Sequence, residues 1–139
     1  MIRIAIADNH QQVREIWKRV LSANTDLHVV CICTNGQEAI DMAATHMPDI
    51  FLMDINMERI NGIDATAIIT NIYPGIKVIG MSIYLDDYYV NSMLAAGANG
   101  YINKNSDYQE MIEAIHQVYE GNRYICNAVK QTEKKSIAI

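Results

Sequence analysis

Short apolar runs alternate with amphipathic stretches along almost the whole chain. Ile2 to Ala7 reads as a first strand, His28 to Cys33 as a second, Ile50 to Met53 as a third, Lys77 to Ile83 as a fourth and Gly100 to Ile102 as a brief fifth. Between them, apolar residues recur at helical spacing. Val13, Ile16, Trp17, Val20 and Leu21 share a stripe, which predicts a helix over roughly Gln11 to Asn24. Ala39, Ile40, Ala43, Ala44 and Met47 mark a second helix, opened after Asn35-Gly36 and closed before Pro48. Ile63, Ala67, Ile68 and Ile72 mark a third that stops before Pro74. Val90, Met93, Leu94 and Gly97 are expected on one face of a fourth. Met111, Ile112, Ile115, Val118 and Tyr119 mark a fifth, with Gly121 as its C-terminal cap.

Five strands separated by five helices predict an α/β domain, a doubly wound parallel sheet covered on both faces. The strands lack polar alternation, as strands buried on both sides should. Both prolines fall where a helix ends and a strand is about to begin, so independent signals agree. From Cys126 onward the pattern fades. The segment Asn127 to Ile139 has no helical stripe and reads as a tail or a linker.

Composition narrows the class. A length of 139 residues and a hydrophobic share of 50% suit one well-filled core. The net charge of −5 disfavours direct nucleic-acid binding by this chain. No apolar run is long enough for a signal core or a membrane span, which leads to the expectation of a cytoplasmic protein. Of three cysteines, Cys31, Cys33 and Cys126, the first two alternate in an apolar run and read as two small buried thiols; no further Cys or His stands at metal-ligand spacing, and a reducing cytoplasm fits.

The chemistry gathers at the strand ends. In open α/β sheets, ligands bind outside the carboxyl ends of the strands. The first strand ends at Asp8-Asn9, the third at Asp54, the fourth near Ser82, and the fifth runs into Lys104. Singly these mean little: an acid after a strand serves as a helix cap, and a lone lysine is usually a surface residue. Together they describe one anionic pocket. If the first and third strands are neighbours, two carboxylates stand side by side, a repulsion of about 4 kcal/mol at about 4 Å and an effective dielectric near 20. Either a proton or a cation relieves it, and an oxygen-rich site with two carboxylates suits Mg²⁺. A carboxylate can attack phosphorus, with cationic groups stabilising the transferring oxygens.

The residues Ile4-Ala5-Ile6-Ala7-Asp8-Asn9-His10, Asn35-Gly36-Gln37-Glu38-Ala39, Pro48-Asp49-Ile50-Phe51-Leu52-Met53-Asp54-Ile55-Asn56-Met57, Gly62, Ser82, Ala95-Ala96-Gly97-Ala98-Asn99-Gly100-Tyr101 and Lys104 resemble the receiver domain of response regulators, in particular the NarL-type subfamily, over about residues 1–125. The resemblance implies the flavodoxin-like strand order 2-1-3-4-5. It implies Asp54 as phosphoacceptor, Lys104 and Ser82 as groups that meet the phosphoryl oxygens, and Ser82 with Tyr101 as a coupled switch. It implies Mg²⁺ held by Asp8, Asp54 and the Asn56 backbone carbonyl. Its further implications are a sensor histidine kinase as phosphoryl donor, a homodimer, and transcription regulated through a DNA-binding domain that does not follow here. Such a chain is an acceptor with at most slow self-dephosphorylation, not a turnover enzyme.

Two positions depart from the family pattern. Asn9 stands where the family carries a second acid, so it is a weak or lost ligand, and weaker Mg²⁺ binding and slower phosphorylation are expected. Glu58 replaces a common proline. It either restores charge near the site or points to solvent. A surface of Tyr84, Asp86, Asp87, Tyr88, Tyr89 and Tyr101 reads either as a partner face or as packing over the fourth helix. Asn9 also keeps open a receiver-like module that binds partners without phosphorylation. A phosphohydrolase is disfavoured, because the second acid that chemistry wants is Asn56 here. No Gly-rich turn follows the first strand, which disfavours a dinucleotide site.

Overall fold

The computed structural model describes residues 1–129; the remainder of the expected tail, residues 130–139, lies outside the described residues. The strands are β1 (Ile2–Ala7), β2 (Leu27–Cys33), β3 (Ile50–Asp54), β4 (Lys77–Ser82), β5 (Gly100–Asn103) and β6 (Tyr124–Ile125). The helices are α1 (Gln11–Ser22), α2 (Gly36–His46), α3 (Gly62–Ile72), α4 (Asp87–Ala95) and α5 (Tyr108–Tyr119). All neighbouring strands run parallel, in the order β2-β1-β3-β4-β5-β6. The expected five-stranded order is therefore present, and β6 extends it by one short strand at the β5 edge.

Burial explains the runs. Ile50, Phe51, Leu52 and Met53 are all fully buried, so β3 is covered on both faces and has no solvent side that would call for polar alternation. Trp17 and Leu21 anchor α1, Ala39 and Ala43 anchor α2, Met111, Ala114, Ile115 and Val118 anchor α5. Three helix starts are capped by side chains: Asn35 accepts from Glu38 N–H, Asn61 from Asp64 N–H and Asp107 from Glu110 N–H.

Three expectations change. Gly97 is not part of the α4 face; it follows the C-cap Ala96 with φ of 108°, and a Cβ there would sit 2.4 Å from Thr70 Oγ1. Leu94 is only half-buried, leaving Val90 and Met93 to anchor α4. The segment after Ile125 is not featureless at its start: Cys126 and Val129 are fully buried, and Asn127 to Val129 are helical. Of the cysteines, Cys33 and Cys126 are buried and Cys31 is half-buried; all are free thiols.

The strand order reverses direction between β1 and β3, since β2 follows β1 to one side and β3 lies on the other. At such a switch point the following helices diverge and leave a crevice beyond the strand ends. That crevice is where Asp8 and Asp54 emerge.

Candidate phosphoryl-acceptor site

The floor of the crevice is an ion cluster. Lys104 Nζ lies 2.7 Å from Asp8 Oδ2 and 3.1 Å from Asp54 Oδ1. Asp8 is fully buried and Asp54 is 2% exposed. Each side chain is delivered by backbone that is fixed elsewhere. The Asp8 N–H donates to Cys33 O on β2, and Arg14 Nη1 donates to the Asp8 carbonyl at 2.7 Å. The Lys104 N–H donates to Ser82 O, which ties the end of β5 to the end of β4.

Asp54 is held by the loop that follows it. Asn56 N–H donates to Asp54 Oδ1 at 3.3 Å, and Gly62 N–H donates to Ile55 O. The loop turns back so tightly that a Cβ at Gly62 would lie 1.9 Å from the Asp54 carbonyl oxygen, and a Cβ at Gly36 would lie 1.9 Å from Ile60 O. Both contacts are with backbone, which has little room to yield, so glycine is required at both places. Glu58 is exposed, in line with the solvent-facing alternative.

Burial and the neighbouring Asp8 carboxylate push the Asp54 carboxyl above its ordinary range, and Lys104 and the Asn56 N–H pull it back only in part. Among the described residues, Asp54 Oδ2 is a buried acceptor with no hydrogen-bond partner, and Asp8 Oδ2 has the Lys104 ion pair but no well-directed hydrogen bond. Such acceptors are what an incoming cation or phosphoryl group would satisfy. Above the cluster opens a cleft of about 430 Å³ lined by His10, Val13, Asp54, Asn56, Ser82, Ile83, Tyr84, Lys104 and Asn105. It has room for a phosphoryl group and several waters of about 30 Å³ each.

The response regulator receiver domain family matches residues 4–116. The chain belongs to that family. It is 40% identical over 124 residues to the transcriptional regulatory protein DegU of Brevibacillus brevis, covering 89% of this chain and 52% of that protein. It is 34% identical over 125 residues to the oxygen regulatory protein NreC of Staphylococcus epidermidis, covering 89% of this chain and 57% of the relative. The receiver therefore spans little more than half the length of these relatives. Among solved structures, a LuxR-family two-component response regulator from Aurantimonas superposes with a TM-score of 0.93 at 26% identity, covering 100% and 99% of the two chains. The receiver of the putative response regulator NarL from Mycobacterium tuberculosis gives 0.83 at 27%, covering 87% and 98%.

The receiver's two remaining predicted residues meet beside the cleft. Ser82 is buried, and its Oγ accepts from the Tyr84 N–H at 3.0 Å. Tyr101 is fully buried, and its hydroxyl donates to the Tyr84 carbonyl. Burial pushes the Tyr101 phenol up to about 12, against the pull of a hydrogen bond with the Ser82 hydroxyl. One peptide group, that of Tyr84, thus touches both. Tyr101 is not part of the exposed aromatic surface. Tyr84 and Tyr88 are exposed and Tyr89 is half-buried against the core: Tyr84 stacks on Tyr89 with centroids 4.9 Å apart, and Tyr88 meets Tyr89 edge-on at 5.2 Å.

Asn9 is exposed at the rim. Its neighbour His10 was not singled out from the sequence, yet it leans over the pocket. Its N–H donates to Asp8 Oδ1 at 2.8 Å and its Nδ1 lies 3.2 Å from the same oxygen. The signal was its place two residues after Asp8, where the chain turns into α1. Among the described residues, no helix is long and apolar enough to cross a membrane.

Proposed function

We propose that Asp54 accepts a phosphoryl group from the phosphohistidine of a sensor histidine kinase and that the acylphosphate resets the surface formed by α4, β5 and α5. The observation that carries this reading is the Asp8–Lys104–Asp54 cluster at the sheet's switch point, with Asp54 lining the cleft and its Oδ2 buried and unpartnered among the described residues. A carboxylate oxygen of Asp54 attacks phosphorus, the P–N bond to the donor imidazole breaks, and the electron pair leaves with that nitrogen. Lys104 then shifts from bridging two carboxylates to pairing with a phosphoryl oxygen. Asp8, Asp54 and the Asn56 carbonyl fit a hard divalent cation, and Asn9 at the rim adds a neutral oxygen at most. What bound Mg²⁺ supplies at such a site is neutralisation of charge on the transferring oxygens.

The switch follows from differential binding. A phosphoryl group adds charge and acceptor oxygens. Turning toward it, the Ser82 hydroxyl gives up its bond to the Tyr84 N–H. The Tyr84 peptide then re-forms its contacts, and the α4 end moves with it. In the longer protein that the relatives suggest, this surface controls a DNA-binding domain and so transcription.

The test is intact mass after incubation with acetyl phosphate and Mg²⁺. A gain of one phosphoryl group in the wild type, absent in Asp54→Ala, is expected; no gain overturns the reading. A second reading, a module that binds partners without phosphorylation, draws on Asn9 and on the aromatic stack of Tyr84, Tyr88 and Tyr89. It predicts partner binding that is equal in wild type and Asp54→Ala.

A further inference from the structure

The donor atoms around Asp54 are not all oxygen. One atom each of Asp8, His10 and Asp54 lies within 4.8 Å of the others, close enough to share one cation. Asp54 lines the cleft, and its Oδ2 is buried with no hydrogen-bond partner among the described residues. The His10 side chain is 66% exposed and makes no N-terminal cap bond for α1. Its hold on Asp8 is a contact of 3.2 Å through Nδ1, while the firmer bond comes from its backbone. The ring can therefore turn a nitrogen lone pair to a cation at little expense to the fold.

Charge argues in the same direction. Within the cluster Asp8 and Asp54 bring two negative charges and Lys104 returns one positive. Asn9 adds none. Mg²⁺ depends on oxygen ligands and on the local negative charge, and here that charge is small. An imidazole donor adds affinity without adding charge, but only for ions that accept nitrogen, which means the first-row divalent metals beyond Mg²⁺.

We infer that the pocket of Asp8, His10 and Asp54 is a site for an imidazole-accepting first-row divalent cation, which it binds in preference to Mg²⁺ with His10 as the discriminating ligand. The binding is a property of these three side chains. Its use in the cell rests on the reading of Asp54 as a phosphoryl acceptor.

Co²⁺ is the probe, because its absorption separates nitrogen and oxygen ligands from thiolates, and because it shifts the exchangeable proton of a ligating imidazole in the NMR spectrum. The whole chain is titrated calorimetrically with Co²⁺ and, separately, with Mg²⁺. Co²⁺ is expected to bind roughly tenfold or more tightly than Mg²⁺, and to give a shifted imidazole proton without a thiolate charge-transfer band. His10→Ala is expected to abolish that proton and to weaken Co²⁺ roughly tenfold or more, with Mg²⁺ affected far less. Asn9→Asp is expected to strengthen Mg²⁺ and so narrow the gap. Equal losses for both ions in His10→Ala, unchanged Co²⁺ affinity, or a thiolate band each overturn the inference. The acetyl phosphate assay on the same samples separates the two claims. Phosphorylation with Mg²⁺ but no His10-dependent Co²⁺ binding removes the inference and keeps the acceptor. His10-dependent binding without phosphorylation does the reverse.

Discussion

Arg59 holds φ at 65° in the loop behind Asp54, a conformation that suits glycine better than a residue with a Cβ. The loop accepts it because Gly62 and Gly36 let the chain fold against the strand end. Arg59→Gly should therefore raise stability, by about 0.5–1 kcal/mol once the extra freedom of unfolded glycine is set against the relieved strain. Urea unfolding checks it. Asp54 is a second residue held at the expense of the fold. Its raised carboxyl means the folded state favours the protonated form, by burial first and by Asp8 second. That preference helps the fold fully only below the unfolded carboxylate's pKa, about 3.9, and is lost as pH rises through the higher folded value. Asp54→Asn, which never ionises, should thus gain over wild type as pH rises from about 4 to 7, read as a widening gap in urea midpoints. A gap that narrows over that range would show that the Lys104 ion pair outweighs burial.

At the scale of elements, the loop between β3 and α3 does most to present Asp54, and its far end is pinned by a cap. Asn61 accepts from Asp64 N–H at 2.9 Å and its amide donates to the Asp64 carboxylate at 3.2 Å. Asn61→Ala should cost about 1 kcal/mol in thermal or urea unfolding. Elements of this kind were legible in the sequence because each one repeats a signal several times. α1 has five apolar positions on one stripe, and β3 has four in succession. β6 has two residues, too few to show a period, and it is held by pairing Gly100 with Tyr124 and Tyr101 with Ile125. Gly97 looked like part of α4 because it keeps helical spacing, but its φ of 108° and its contact with Thr70 come from tertiary packing, which periodicity cannot register. At the site, Asp8, Asp54, Ser82 and Lys104 could be found because strand ends converge by topology. The inward position of Tyr101 and the lean of His10 are choices of rotamer, and a sequence does not print rotamers.

For the whole molecule, the sheet is the scaffold on which the proposed switch would act. Its two-sided burial fixes five strand ends against one another, so that a change at Asp54 has few places to go other than the loosely built α4 side. The Tyr101 carbonyl accepts from the Cys126 N–H at 2.9 Å, and Cys126 and Val129 are rooted in the core. Cys126 and Val129 are thus tethered beside Tyr101 and not at the free end of α5. If Asp54 is the proposed acceptor, the Cys126 amide reports the switch. Its hydrogen–deuterium exchange should quicken severalfold on phosphorylation of the wild type and stay slow in Asp54→Ala. An unmoved rate in both would mean that the message leaves by the aromatic face alone and that the exit strand is only an anchor.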